Sequence, residues 1–388
     1  MDVECRLHPK SWSKLQSELL GFITTKLGSV DVIRFRAVCN CWKRAATSYI
    51  SSPGHKLMPQ TLMLMIPSGE KKDAHTRRFF NLAENKTFTL KNVFRDFSEA
   101  WCVGSSHGWL VLMDEMGKLD LFNPFSGDRI ELPSIWTLTH FVRWETHPNF
   151  SDVFSSNKNS VRGDESEHYY DIMFHNDHLY ALASGGSVGV WDFTKSLPTN
   201  TFNLDPFADQ SGMKDFPVAV FDVLNYLVES LGDLLFVKRF VVKTTVEGKT
   251  FPYRTLHFHI FRLSSTGKEW EKVEYLHDRA LFLGGNLSMS ISCCDFAECQ
   301  ENSIYFTDDN YYEMNLKYLA DDEEDKYVGH DLGVYNLKNK VVKPMSGYQF
   351  FDKWTIYDPL PFWIVPNPWP SSVIYGAPSS SSLSGPQA

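Results

Sequence analysis

The sequence predicts a small all-α module followed by a mainly β domain. Three observations carry this. The apolar period changes from about four residues to two near residue 58, the two periods of an amphipathic helix and a half-buried strand. Short strand-like runs are each bounded by Gly, Asp, Asn or Pro. Aromatic residues make up 14% of the 388 residues, and flat rings pack well on pleated surfaces.

The helical module is expected over residues 10–52. Leu15, Leu19, Ile23 and Leu27 recur every fourth residue and Leu20 widens the stripe, which predicts a first helix. Gly28 and Ser29 break it, with Ser29 as the expected cap of a second helix carrying Val32, Ile33, Phe35, Arg36 and Val38. Asn40 is expected to cap a third through Trp42, Arg44 and Ala45, and Pro53-Gly54 ends the helical region.

The β domain is expected over residues 58–370. Strand-like runs lie at 61–66, 109–113, 118–123, 178–183, 187–193, 234–242, 255–263, 303–306 and 332–337. The run DVLNYLVES (222–230) reads equally as a helical turn or a strand. The runs pair into four similar hairpins, the third with the longer connection. Their second strands end on Phe122-Asn123, Trp191-Asp192, Phe261-Arg262 and Tyr335-Asn336. Repeated weak hairpins point to a β-propeller. The aromatics lie about 70 residues apart, more than the ~40–50 of one blade. Either long loops are inserted or intervening blades are too divergent to see, so the blade number stays open. Residues 151–168 and the acidic run 320–326 read as solvated loops, and the Ser/Pro-rich tail 377–388 as disordered.

The charge balance, 38 Lys+Arg against 47 Asp+Glu, argues against a nucleic-acid partner. Seven cysteines include no C-x-x-C spacing, so free thiols in a reducing compartment are expected rather than a metal site. The start of the chain has no apolar signal core and no run is long enough to span a membrane. A soluble protein of the cytoplasm, the nucleus or both is expected.

GSSHG (104–108) fits the nucleophile-elbow pattern G-x-S-x-G around Ser106, but a strand rather than a helix follows it, so a hairpin turn is expected. His257 and His259 share one face of a strand without a third ligand at a telling spacing, so no metal is expected there. The glycine-rich SGGSVG (184–189) joins two strands and lacks the helix that a phosphate loop needs. Asp321–Asp325 lacks the spacing of a calcium loop. No cofactor is expected.

The N-terminal module carries the sharpest motif. Trp12, Leu15, Glu18, Leu19, Leu20, Ile23 and Leu27, then Asp31, Arg34, Arg36, Val38, Cys39 and Trp42, hold their spacing across three elements. In this the module resembles an F-box, apart from Gln16, where that family usually has proline. The β domain is similar to the C-terminal kelch- or propeller-like domain of plant F-box proteins, through Gly108-Trp109-Leu110, Leu121-Phe122-Asn123-Pro124 and SIYFTDDN (303–310). The resemblance implies a non-catalytic substrate receptor of a ubiquitin ligase. Leu15, Leu19, Ile23, Leu27, Val32, Val38, Cys39 and Trp42 would contact a Skp1-like adaptor, and through it a cullin. The β domain would hold a target protein. The alternatives are a scaffold that binds the adaptor without directing degradation, and an enzyme: a hydrolase using Ser106 or a metal enzyme built near His257 and His259.

Overall fold

The computed structural model describes residues 15–50, 62–66, 75–97, 100–114, 116–134, 137, 155–156, 167–183, 186–192, 199–204, 222–246, 249–296, 298–310, 330–345 and 361–366. The tail, the acidic run with Asp321–Asp325, Cys5, Trp12 and Pro53-Gly54 lie outside these residues.

Three helices open the described chain: α1 (Ser17–Thr24), α2 (Ser29–Val38) and α3 (Asn40–Ile50). Leu20, Val32, Phe35 and Ala46 form their common core, and Leu15, Ile23, Leu27 and Trp42 pack against it half-buried. The Phe35 and Trp42 rings lie 4.4 Å apart. The first helix stops before Leu27. The Thr24 hydroxyl donates to the Leu20 carbonyl and that of Thr25 to the Phe22 carbonyl, a back-bonding that weakens helix continuation. Leu27 still turns inward, through a tighter last turn in which its N–H donates to the Thr24 carbonyl. The expected caps differ from the observed ones. Gly28 holds the cap position of α2, and Ser29 and Asn40 are the first residues of their helices.

The strands among the described residues form five sheets. Blade 1 contains β1 (Met63–Ile66), β2 (Arg77–Asn81) and β3 (Lys86–Leu90), and its remaining strand is β22 (Phe362–Ile364), paired antiparallel with β1. The last described strand therefore closes the ring onto the first blade. Blade 2 is β4 (Trp101–Ser106), β5 (Trp109–Met113), β6 (Leu119–Phe122) and β7 (Arg129–Glu131). Blade 3 runs from β8 (Ser155–Ser156) through β9 (Glu167–His175), β10 (His178–Ala183) and β11 (Val188–Asp192) to β12 (Thr199–Leu204). Blade 4 is β13 (Asp222–Ser230), β14 (Asp233–Val246), β15 (Lys249–Leu263) and β16 (Trp270–Val273). Blade 5 has the order β18 (Leu287–Ser292), β17 (Arg279–Gly284), β19 (Ser303–Phe306), β20 (Gly333–Asn336) and β21 (Val341–Lys343), with β17 and β19 parallel.

Phe122, Trp191, Phe261 and Tyr335 fall in β6, β11, β15 and β20, on four successive blades. Among the described residues no further blade intervenes between them. One open reading closes and two change. DVLNYLVES is a strand, registered residue for residue against β14. The third hairpin has longer strands, not a longer connection, because β14 and β15 pair as far as Val246 and Lys249. Part of 151–168 is strand, since Ser155 and Ser156 pair with His168 and Glu167.

Apolar seams join neighbouring blades. Leu64, Phe80 and Trp363 meet Phe282 and Tyr305 between blades 1 and 5. Val228, Val237 and Phe258 meet Leu281 and Phe306 between blades 4 and 5. Tyr180 and Val190 meet Phe236 and Trp270 between blades 3 and 4, and Met65 and Phe79 meet Leu110 and Phe122 between blades 1 and 2. Each such side chain is worth about 1.5–3 kcal/mol when fully buried, so these seams supply most of the cohesion of the ring.

Candidate functional site

On the helical module, apolar side chains divide between two faces. Leu20 and Val32 are 1% exposed and face the module core. Leu19, Phe22 and Val38 are 50%, 64% and 56% exposed. Leu19 and Phe22 are three apart on α1 and so neighbours on one helical face. Of the residues expected to meet a partner, Leu19 and Val38 are thus fully presented. Leu15, Ile23, Leu27, Cys39 and Trp42 are partly exposed, and Val32 is interior. Phe22 was not among the expected residues. Its signal was present in the run LLGFIT, one position off the four-residue stripe.

Ser106 ends β4, and β5 starts at Trp109, so His107-Gly108 is a two-residue turn. Both turn residues have positive φ, 49° and 83°, as a type I′ hairpin requires. The Ser106 hydroxyl is 2.7 Å from His107 Nδ1, on an exposed hairpin tip. The strand–turn–helix frame of an elbow is absent here, which removes the basis for a Ser106 nucleophile. The neighbouring Ser105 has a structural role. Its N–H donates to the Asn286 carbonyl, and the Asn286 amide donates to Ser105 Oγ and to the Trp363 carbonyl at 2.6 and 2.8 Å. That links blades 2, 5 and 1. Gly186, with φ 81°, turns the chain between β10 and β11, so SGGSVG is a hairpin where it is described.

His257 and His259 sit together on β15 with ring centroids 5.0 Å apart. The Tyr335 hydroxyl lies 2.6 Å from His257 Nδ1. Burial, aided by the neighbouring His259, lowers the His257 pKa to about 4. Among the described residues no group of three or more His, Cys, Asp or Glu could hold a metal ion.

The densest polar cluster lies between blades 4 and 5. Arg239 is fully buried, and its guanidinium donates to Thr255 Oγ1, Asp309 Oδ1, Asp331 Oδ2 and the Thr307 carbonyl at 2.6–2.8 Å. Its charge also sits 4.5 Å from the Phe306 ring centroid. Burial lifts the Asp309 pKa against the pull of Arg239, to about 6. Burial also opposes ionisation of Asp331, but the Arg239 charge and the Thr255 hydrogen bonds outweigh it and hold that carboxyl below its ordinary range. The Tyr253 hydroxyl donates to Asp308, which also accepts the Asp331 N–H and lies 3.4 Å from His330. The segment TDDN (307–310) is therefore held from blade 4. Outside this cluster, the half-buried Asp171 accepts N–H bonds from Leu227 and Ile172 at 2.8 Å, joining β9 to β13. Burial raises its pKa to about 7. Nothing in the periodicity flagged Arg239 or Asp171, because a charge inside an apolar strand reads as a surface residue.

A family model described as the KIB1-4 β-propeller matches residues 79–160 and 151–336, from β2 to the end of β20. The chain belongs to the KIB1-4 β-propeller family. Similar proteins include the probable F-box protein At4g22165 of Arabidopsis thaliana, 24% identical over 77% of this chain and 85% of that protein. Another is the F-box/kelch-repeat protein KIB1 of Arabidopsis thaliana, 24% identical over 78% of this chain and 79% of that protein. The resemblance to plant F-box proteins with a propeller domain is thereby borne out. Among solved structures, the N-terminal domain of Nup159 aligns over 51% of this chain and 45% of that one at 12% identity, with a TM-score of 0.20, too low to inform the fold. No helix among the described residues is long and apolar enough to cross a membrane.

Proposed function

We propose that the chain is the substrate-recognition subunit of a Skp1–cullin–F-box ubiquitin ligase. The helical module docks a Skp1-like adaptor, which joins it to the cullin, and the propeller holds a target protein. The chemistry this requires of the chain is proximity alone. Holding target and ubiquitin donor on one assembly turns a bimolecular encounter into an effectively intramolecular one. The observation that carries the reading is the exposure of Leu19, Phe22 and Val38 on a module whose own core is already closed. Grouped large apolar side chains facing solvent mark interaction sites. Leu15, Ile23, Leu27, Cys39 and Trp42 would border the contact, while Val32 supports it from inside the module. An exposed aromatic such as Phe22 is the kind of side chain that dominates binding energy when its pocket closes over it.

The test is co-purification of the adaptor with wild type and with Leu19→Asp plus Phe22→Asp. Both positions are exposed, so the substitutions leave the module core intact, which helical circular dichroism verifies. Loss of adaptor from the variant is expected. Equal recovery with both proteins would sink the assignment.

A further inference from the structure

The helical module does not stand apart from the ring. Val30 of α2 is only 6% exposed and belongs to the apolar cluster of blades 1 and 2, beside Met63, Phe79 and Phe94. Four residues on, Arg34 donates through both terminal nitrogens to the two carboxylate oxygens of Glu84, each at 2.7 Å. Glu84 lies in the turn between β2 and β3 and also accepts a bond from Asn81 at 3.1 Å. Arg36, largely buried, lies in the field of Asp128, from the turn between β6 and β7. One helix thus meets the turn of blade 1 through Arg34 and the apolar cluster of blades 1 and 2 through Val30.

We propose that α2 is a clamp that fixes the orientation of the helical module against blades 1 and 2, with Val30 and Arg34 as positioning residues and Glu84 as the seat of the arginine. The division of labour is chemical. A buried valine supplies adhesion without direction. The bidentate arginine–carboxylate pair supplies direction, because two parallel bonds resist rotation. Arg34 is 46% exposed, and a pair so open to solvent adds little stability. Its contribution is angular. The consequence for ubiquitin transfer rests on the adaptor-docking reading above: the clamp sets the direction in which the docked adaptor leaves the propeller, and hence the separation of target and donor.

The test reads the clamp without the adaptor. Fluorophores are placed by encoded non-natural residues at Ser48 in α3 and Lys91 beyond β3, both exposed, and single-molecule energy transfer gives their distance distribution. A single narrow population is expected in wild type. Glu84→Arg should broaden it or add a second population. The charge swap, Arg34→Glu with Glu84→Arg, should restore the narrow one, which a merely destabilising substitution would not. A broad distribution in wild type, or one that Glu84→Arg leaves unchanged, overturns the proposal. Adaptor affinity is measured on wild type and on Glu84→Arg and is expected to be equal in both, since Glu84 is on the propeller. If wild type fails to bind adaptor, the docking reading falls while the distance distribution still decides the clamp.

Discussion

At the residue scale, the buried charges are the most exacting feature. Arg239 faces Asp309 and Asp331 with no solvent to screen them. Replacing it by methionine keeps much of the volume and leaves the carboxylates uncompensated, which costs about 3–5 kcal/mol. A denaturant midpoint well below wild type checks this. Asp171 behaves in the opposite sense. Its folded pKa of about 7 lies above that of an unfolded aspartate. Between the two values the native state binds more protons, so its contribution to stability is present at acid pH and is lost as pH rises toward 7. Asp171→Asn should flatten that part of the pH–stability profile, by a difference on the order of 1–3 kcal/mol between pH 4 and pH 8. An identical slope in both proteins would contradict the expectation. None of this was legible in the sequence. Arg239 stands in LLFVKRFVV as one of two adjacent cations, and only pairing across the blade seam shows that Lys238 keeps solvent contact while Arg239 does not.

At the element scale, sequence patterns succeeded where a short, largely buried apolar run is bounded by turn residues, as in WLVLM and SIYF. They failed in two places. Outer strands such as β7 and β12 are mostly exposed and carry little periodicity. Strand β4 ends on Gly104-Ser105-Ser106, so Trp101–Ser106 lacks the aliphatic alternation that marks a strand, whereas Leu287–Ser292 does alternate, LSMSIS, and was legible but passed over. Turns were more legible. GSSHG announced a hairpin through its glycines, and its second glycine does occupy a left-handed position. The turn between β13 and β14 is less well matched to its conformation. Leu231 is held at φ 56° with 69% of its surface exposed, so it has a side-chain clash and little packing to offset it. Leu231→Asn supplies the Asn-Gly pair that such turns favour and should stabilise blade 4 by about 0.5–1 kcal/mol. Thermal unfolding is the measurement, and an unchanged or lowered midpoint would count against it.

At the scale of the whole molecule, the class was legible and the count was not. Four hairpins were visible, one on each of blades 2 to 5. Blade 1 escaped because its strands are drawn from both ends of the β domain, and local pattern cannot pair Met63–Met65 with Phe362–Ile364. Truncation after Met345 should therefore damage the ring far more than its length suggests. It removes Trp363, which is fully buried and donates its indole N–H to the Leu283 carbonyl of blade 5. Loss of near-ultraviolet circular dichroism and rapid proteolysis of blade 1 are expected, and a protease-resistant truncated ring would refute it. The same closure has a consequence during synthesis. The helical module and β1 leave the ribosome at the start, whereas the partner of β1 is made some 300 residues later. At ~5–20 residues per second that is on the order of tens of seconds. Throughout that interval the fully apolar strand MLMI has one open edge, the geometry that invites pairing with another chain. A nascent chain can thus complete its docking module well before its ring, and chaperone protection of that edge becomes a condition of its yield.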